Sequence, residues 1–236
     1  MKPRKSLSVS LVALCAALYA VLGYLTYLGL FAPVIGTVRF WPSVFVPATF
    51  AVAFSPLIGG LGAAIGIFIS DMAVHGNPLL SLSVGVPANF LGFYAVGAVY
   101  RLARDERRVL AGIAVELVAT VLALSALYYA RILDESFVVA SAVALAFTVT
   151  PMVVARQSRR IVFAGSTGLM LGSAIIGVGV WAYSQFFVLP TGQAQLPAWA
   201  ALVWFVWTYL TEIPFIALFV PPTVRVLEKA GLVFEE

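Results

Sequence analysis

Long apolar runs recur along the chain, each closed by a short cluster of polar, basic or Gly/Pro residues. They cover roughly 8–31, 43–55, 57–74, 79–100, 109–130, 137–155, 163–188 and 199–223. A bilayer core about 30 Å thick takes about 20 apolar residues of helix, so most of these runs are long enough to cross it. The second, 43–55, is short; it must tilt, stay half-buried or form one arm of a helical hairpin. The pattern predicts an all-α integral membrane protein with about eight transmembrane segments, forming one membrane domain over 1–236.

The basic residues then assign sides. Of the 14 Lys and Arg residues, all but Arg39 and Arg131 fall on one side when the eight segments are counted. That side holds Lys2, Arg4 and Lys5; Arg101, Arg104, Arg107 and Arg108; Arg156, Arg159 and Arg160; and Arg225 and Lys229. Merging 43–74 into one span would send the Arg101–Arg108 cluster across, against the positive-inside rule. Eight segments therefore place both termini in the cytoplasm of a multi-pass protein of the cell membrane.

Composition narrows the function classes. The chain is 62% hydrophobic and 10% charged, whereas a soluble domain carries about 25% charged residues. Its net charge of +4 sits at the ends of apolar spans, where it meets anionic lipid headgroups, so no nucleic-acid partner is implied. The apolar run after Lys5 exceeds a signal-peptide core of 7–15 residues and reads as a retained first helix. Cys15 is the only cysteine, which excludes intrachain disulfides and cysteine metal clusters. Lys2, Lys5 and Lys229 do not follow glycine as a phosphate-binding loop requires. His75 is the only histidine, so a two-histidine zinc motif is impossible. The glycine-flanked Ser166 opens a segment at one face while His75 closes one at the other, too far apart for a Ser/His protease. The expectation is a protein that binds or transports and is not an enzyme, with no cofactor and no metal.

All five tryptophans fall in the outer half: Trp41, Trp181, Trp199, Trp204 and Trp207. Indoles favour the headgroup region, so an interfacial belt is one reading. On the last segment, however, Trp204, Trp207, Thr208, Thr211 and Glu212 recur at spacings of three and four, which places them on one helical face. Such a ledge also suits a flat, polar-edged ligand. Glu212 lies midway along its segment, where a charge costs at least about 2.5 kcal/mol, and such residues face cavities or partners. Glu116 is nearer the inner end, within reach of Arg108 or the interface. Asn89 lies near mid-membrane and needs a ligand or a neighbouring helix to satisfy its amide. Asp71 and His75, at i and i+4, suit a local hydrogen bond or a pocket rim. Arg39, beside Trp41, can receive an anionic group or remain a solvated loop charge. Ala13, Ala16, Ala17 and Ala20 pair as small-xxx-small, a spacing that lets a second helix approach closely. Gly62/Gly66 and Gly168/Gly172 repeat the device.

In order and topology these features resemble the substrate-binding S component of energy-coupling factor (ECF) vitamin transporters. The likeness rests on the Ala-xxx-Ala first helix, Val44-Phe45-Val46-Pro47-Ala48, the turn Phe54-Ser55-Pro56-Leu57-Ile58-Gly59-Gly60, and Asn89-Phe90-x-Gly92. Late in the chain Phe187-Val188-Leu189-Pro190 and Ile213-Pro214-Phe215 are similar to helices of riboflavin-type members. About two thirds of the chain is covered. The resemblance implies a binder of a vitamin-like small molecule that works with a transmembrane coupling subunit and ATP-binding cassette ATPases. Helix one would dock on the coupling subunit through Ala13 and Ala17, on the alanine face shared with Ala16 and Ala20. The pocket would draw on Arg39–Trp41, Asn89, Tyr183–Phe187 (with Tyr183 and Gln185) and Trp204–Glu212. The chain departs from the six-helix core by an inserted helix pair at 109–155, and Ser55 stands where the family turn has glycine. An ion-coupled secondary transporter using Glu212 and Glu116 is the competing reading, although no internal repeat supports it.

Overall fold

The computed structural model describes residues 5–26, 28–32 and 36–234, with the side chains of residues 28–32 and 36–40 outside that description. The chain runs α1 (Lys5–Leu25), β1 (Leu28–Ala32), β2 (Gly36–Phe40), a single 3₁₀ turn at Pro42–Val44, α2 (Phe45–Ala53), α3 (Pro56–Val74) and α4 (Pro78–Leu80). A π-turn at Ser81–Gly85 leads into α5 (Val86–Leu102), followed by α6 (Glu106–Tyr129), α7 (Glu135–Val154), α8 (Arg156–Phe186) and α9 (Trp199–Lys229). Counting α4 to α5 as one continuous run, seven helices are long and apolar enough to cross a membrane, the architecture of a multi-pass membrane protein.

Two departures from the sequence pattern concern the first loop and the second run. The first helix, expected to reach residue 31, stops at Leu25, and Leu28–Ala32 pairs antiparallel with Gly36–Phe40. Gly29, Pro33 and Gly36 in this stretch are the weakest helix formers, so the expected all-α chain carries one small β-ribbon. The short run became α2, nine residues long. At 1.5 Å per residue it spans about 14 Å, less than half a bilayer core. It is buried from Val46 to Ala53 and packs among α1, α3, α5 and α9.

A helix end inside a membrane leaves carbonyls that must find donors. Here Arg101, near the end of α5, supplies them. Its Nη1 donates to the Ala51 and Gly97 carbonyls at 3.0 Å each, and its Nη2 to Phe54 O at 3.1 Å. The next helix starts immediately, with Ser55 capping α3 by accepting from Ile58 N at 3.1 Å and Pro56 in its first turn. Ser55 thus serves as the N-cap of α3.

The long helices meet through small residues. A methyl group added at Gly66 of α3 would come within 2.9 Å of Ala16 O and 3.0 Å of the Tyr19 ring on α1. One added at Gly92 of α5 would lie 3.1 Å from Gly168 O and 3.3 Å from Gly172 Cα on α8. The Gly62/Gly66 and Gly168/Gly172 pairs are therefore contacts within the chain. The α1 alanines divide. Ala16 and Ala20 are buried, whereas Ala13 and Ala17 are exposed. Packing of Ala16 against Gly66, and acceptance of the Ser70 hydroxyl by Ala20 O at 3.3 Å, commit these two to α3. Only Ala13 and Ala17 remain on the outward surface.

Basic side chains gather at one end of the bundle. Arg156 and Arg159 both bind Glu106, Arg160 reaches Tyr100 O and lies over its ring at 4.2 Å, and Arg225 donates to Ser158 at 3.3 Å. Phe234 N donates to Ala53 O at 3.0 Å, which brings the C-terminal turn to the same end. Helices α6 and α7 do not form a tight hairpin: α6 leans on α8, α7 leans on α9 and α8, and the two scarcely touch each other.

Candidate functional site

Away from the basic end, a cavity of about 600 Å³ opens between α1, α3, α5, α8 and α9. Its lining includes Tyr19, Trp41, Asp71, His75, Asn89, Trp204, Thr208 and Glu212, with Leu189–Thr191 contributed by the loop before α9. The volume falls within the range of small-molecule sites, and the wall is largely apolar with a few polar groups, as such sites are.

The α5 side of the wall is shaped by an interrupted helix. Pro87 has no N–H for the carbonyl four residues back, and its ring crowds that turn. The helix widens there: Val86 N bonds to Ser81 O across the π-turn. Ser81 Oγ then donates to Asp71 Oδ2 at 2.6 Å, and His75 Nε2 lies 3.5 Å from Asp71 Oδ1. Gly85 sits so close to this carboxylate that an added methyl would stand 2.8 Å from Oδ2. One turn on, Asn89 Nδ2 donates to Gly85 O at 2.9 Å, and its Oδ1 accepts from Tyr19 Oη at 2.7 Å. The Asn89 amide is thereby fixed in orientation by α1 and by its own helix.

The opposite wall is α9. Trp204, Thr208 and Glu212, at i, i+4 and i+8, face the cavity. Trp204 Nε1 is buried and has no hydrogen-bond partner among the described residues. Trp41 closes one side, edge-on to Tyr19 with ring centroids 6.2 Å apart.

Five of the ten ligand-binding candidates thus converge: Trp41, Asn89, Trp204, Thr208 and Glu212. The others lie elsewhere. Trp207 turns toward α7, stacked on Phe137 with centroids 5.0 Å apart, and lines a different cavity. Thr211 donates to the Trp207 carbonyl at 2.8 Å. Tyr183 hydrogen-bonds Asn77 at 3.1 Å, and Gln185 donates to Leu196 O at 2.9 Å. These last two secure the loops around the cavity without lining it. Arg39 is placed opposite Gly29 on the ribbon, and its side chain lies outside the described residues. Tyr19 and Thr191 carry no site signal in the sequence, because a tyrosine in an apolar helix reads as an interfacial aromatic and a loop threonine as solvated; Leu189 and Pro190 enter there only through the resemblance.

No family model, characterised protein or solved structure matches this chain.

Glu116 differs from its sequence expectation. It does not reach toward Arg108; it accepts from Thr167 Oγ1 at 2.5 Å and also hydrogen-bonds Ser166. Ser166 shares a 2.7 Å hydrogen bond with Tyr209. These groups join α6, α8 and α9 in one polar contact, so α6 is held by hydrogen bonds as well as by packing.

Proposed function

We propose that this protein is a membrane-embedded, high-affinity binder of a small vitamin-like or nucleobase-like molecule. It would deliver that molecule for ATP-driven uptake to a transmembrane coupling subunit and ATP-binding cassette ATPases, as an ECF S component does. The observation that carries the reading is the cavity of about 600 Å³ where Trp41, Trp204, Asp71, Asn89, Thr208 and Glu212 converge. Indole faces offer stacking surface and the carboxylates accept N–H groups, a combination that suits a planar heterocycle with donors on its edge. By the positive-inside rule the basic end is cytoplasmic. Both termini are then inside, and the cavity faces the outer half of the cell membrane.

A second reading, an ion-coupled carrier, is favoured by one observation. Glu116 on α6 is linked through Ser166 to Tyr209 on α9, three residues before Glu212 on that helix, so two carboxylates lie within apolar spans. One experiment separates the two readings. The purified protein is screened by thermal shift against vitamins and nucleobases, and the best stabiliser is then offered to proteoliposomes bearing a proton gradient and no ATPase. Tight binding without accumulation supports the S-component reading. Gradient-driven accumulation replaces it with the carrier.

A further inference from the structure

A second cavity, of about 590 Å³, lies at the α6–α7 turn against α9. It is separate from the proposed ligand site and lies at the same end of the bundle, far from the basic cluster. Its lining brings together one cation, Arg131, two carboxylates, Asp134 and Glu135, and the rings of Tyr128, Tyr129 and Trp207 over an apolar floor that includes Val203. Arg131 adopts φ +57° at the turn, a left-handed conformation that non-glycine residues seldom take.

Below this cavity the two helices diverge. Apolar side chains stay exposed along both of them, Val121 and Leu122 on α6 and Val139 and Val143 on α7. We infer that the cavity seats the headgroup of a zwitterionic phospholipid whose acyl chains run down the crevice between α6 and α7. The phosphate would pair with Arg131, whose planar fork matches phosphate oxygens. The ammonium would lie between Asp134, Glu135 and the tyrosine faces, which attract cations. The Trp207 ring would cover the glycerol and upper acyl region of the lipid. Charge selects the class: an anionic phosphoglycerol headgroup would satisfy Arg131 but meet two carboxylates with no cation of its own. The lipid would fill the gap left where the inserted pair does not pack on itself.

The test is lipid titration of the delipidated, detergent-purified protein, read by melting temperature. Phosphatidylethanolamine and phosphatidylcholine should stabilise it at concentrations at least fivefold lower than phosphatidylglycerol does. Arg131→Gln should weaken stabilisation by all three lipids at least fivefold, because each presents its phosphate to that side chain, and should leave phosphatidylglycerol the poorest of them. Asp134→Asn with Glu135→Gln should reverse the preference toward phosphatidylglycerol; asparagine retains the N-cap that Asp134 provides to Phe137 N at 2.8 Å, so the turn still folds. Equal response to all three lipids, or a preference for phosphatidylglycerol in the unmodified protein, would overturn the proposal. Equal stabilisation by soluble glycerophosphoethanolamine would also overturn it, assigning the cavity to a free zwitterion.

Discussion

Tyr19 on the first helix donates to Asn89 on the fifth at 2.7 Å across the cavity wall, 70 residues apart in sequence. A buried amide with a fixed orientation is a specific surface, whereas one free to turn is not. Tyr19→Phe removes the donor and leaves Asn89 Oδ1 short of a partner, at a cost of about 1–3 kcal/mol. Ligand affinity should fall roughly fivefold to tenfold, equivalent to about 1–1.4 kcal/mol. Calorimetric titration of the variant checks this, and an unchanged affinity would mean that the amide plays no part in binding.

Gly85 keeps the Asp71 carboxylate in its seat. Gly85→Ala would push a methyl group to 2.8 Å from Asp71 Oδ2, and the carboxylate is the group with room to yield. Binding should weaken by about tenfold, or roughly 1.4 kcal/mol. The melting temperature should change little, because alanine is a better helix former than glycine. Loss of folded protein in place of loss of binding would show that the π-turn is structural first.

Arg101 holds the end of the buried α2. Arg101→Met leaves the Ala51 and Phe54 carbonyls without their donor, and hydrogen bonds to charged groups contribute about 1.5–3 kcal/mol each. A loss of about 3 kcal/mol or more is expected from denaturant unfolding in detergent. Lysine should rescue only part of it, since a single ammonium lacks the planar fork that reaches both carbonyls.

Glu116 and Thr167 tie α6 to α8. A double-mutant cycle with Glu116→Gln and Thr167→Val should return a coupling of about 1 kcal/mol, the scale of hydrogen bonds between membrane helices. Ligand binding should survive both single changes, because neither residue lines the larger cavity. A coupling of zero would leave packing alone to hold α6 in place.

Much of this organisation was legible in the residues. Apolar run length fixed the long helices, because a membrane span leaves little freedom in length or composition. The row Trp204, Thr208, Glu212 was legible for the same reason of periodicity. Trp207 and Thr211, though close in angle, were not separable from it. A helical stripe three residues wide meets two neighbours, and only packing decides that Trp207 turns to Phe137. Glu116 was misplaced because sequence spacing within α6 could not show that Thr167, on a helix 51 residues later, offers a hydroxyl. Tyr19 was overlooked for a related reason, since its partner on α5 is visible only once α1 lies on α3. The small-residue spacing on α1 signals a close helix approach, but spacing alone does not show that Ala16 and Ala20 make that approach to α3 inside the chain.

The central claim is that the cavity between α3, α5, α8 and α9 binds the small molecule. It is tested most directly by equilibrium binding of the best stabiliser from the vitamin and nucleobase screen to the unmodified protein and to Trp204→Ala, Glu212→Gln and Trp207→Ala. Trp204→Ala and Glu212→Gln should each weaken binding at least tenfold, about 1.4 kcal/mol. Trp207→Ala, which changes the other cavity, should leave binding within about twofold. Normal binding by Trp204→Ala and Glu212→Gln, with loss confined to Trp207→Ala, would contradict the claim.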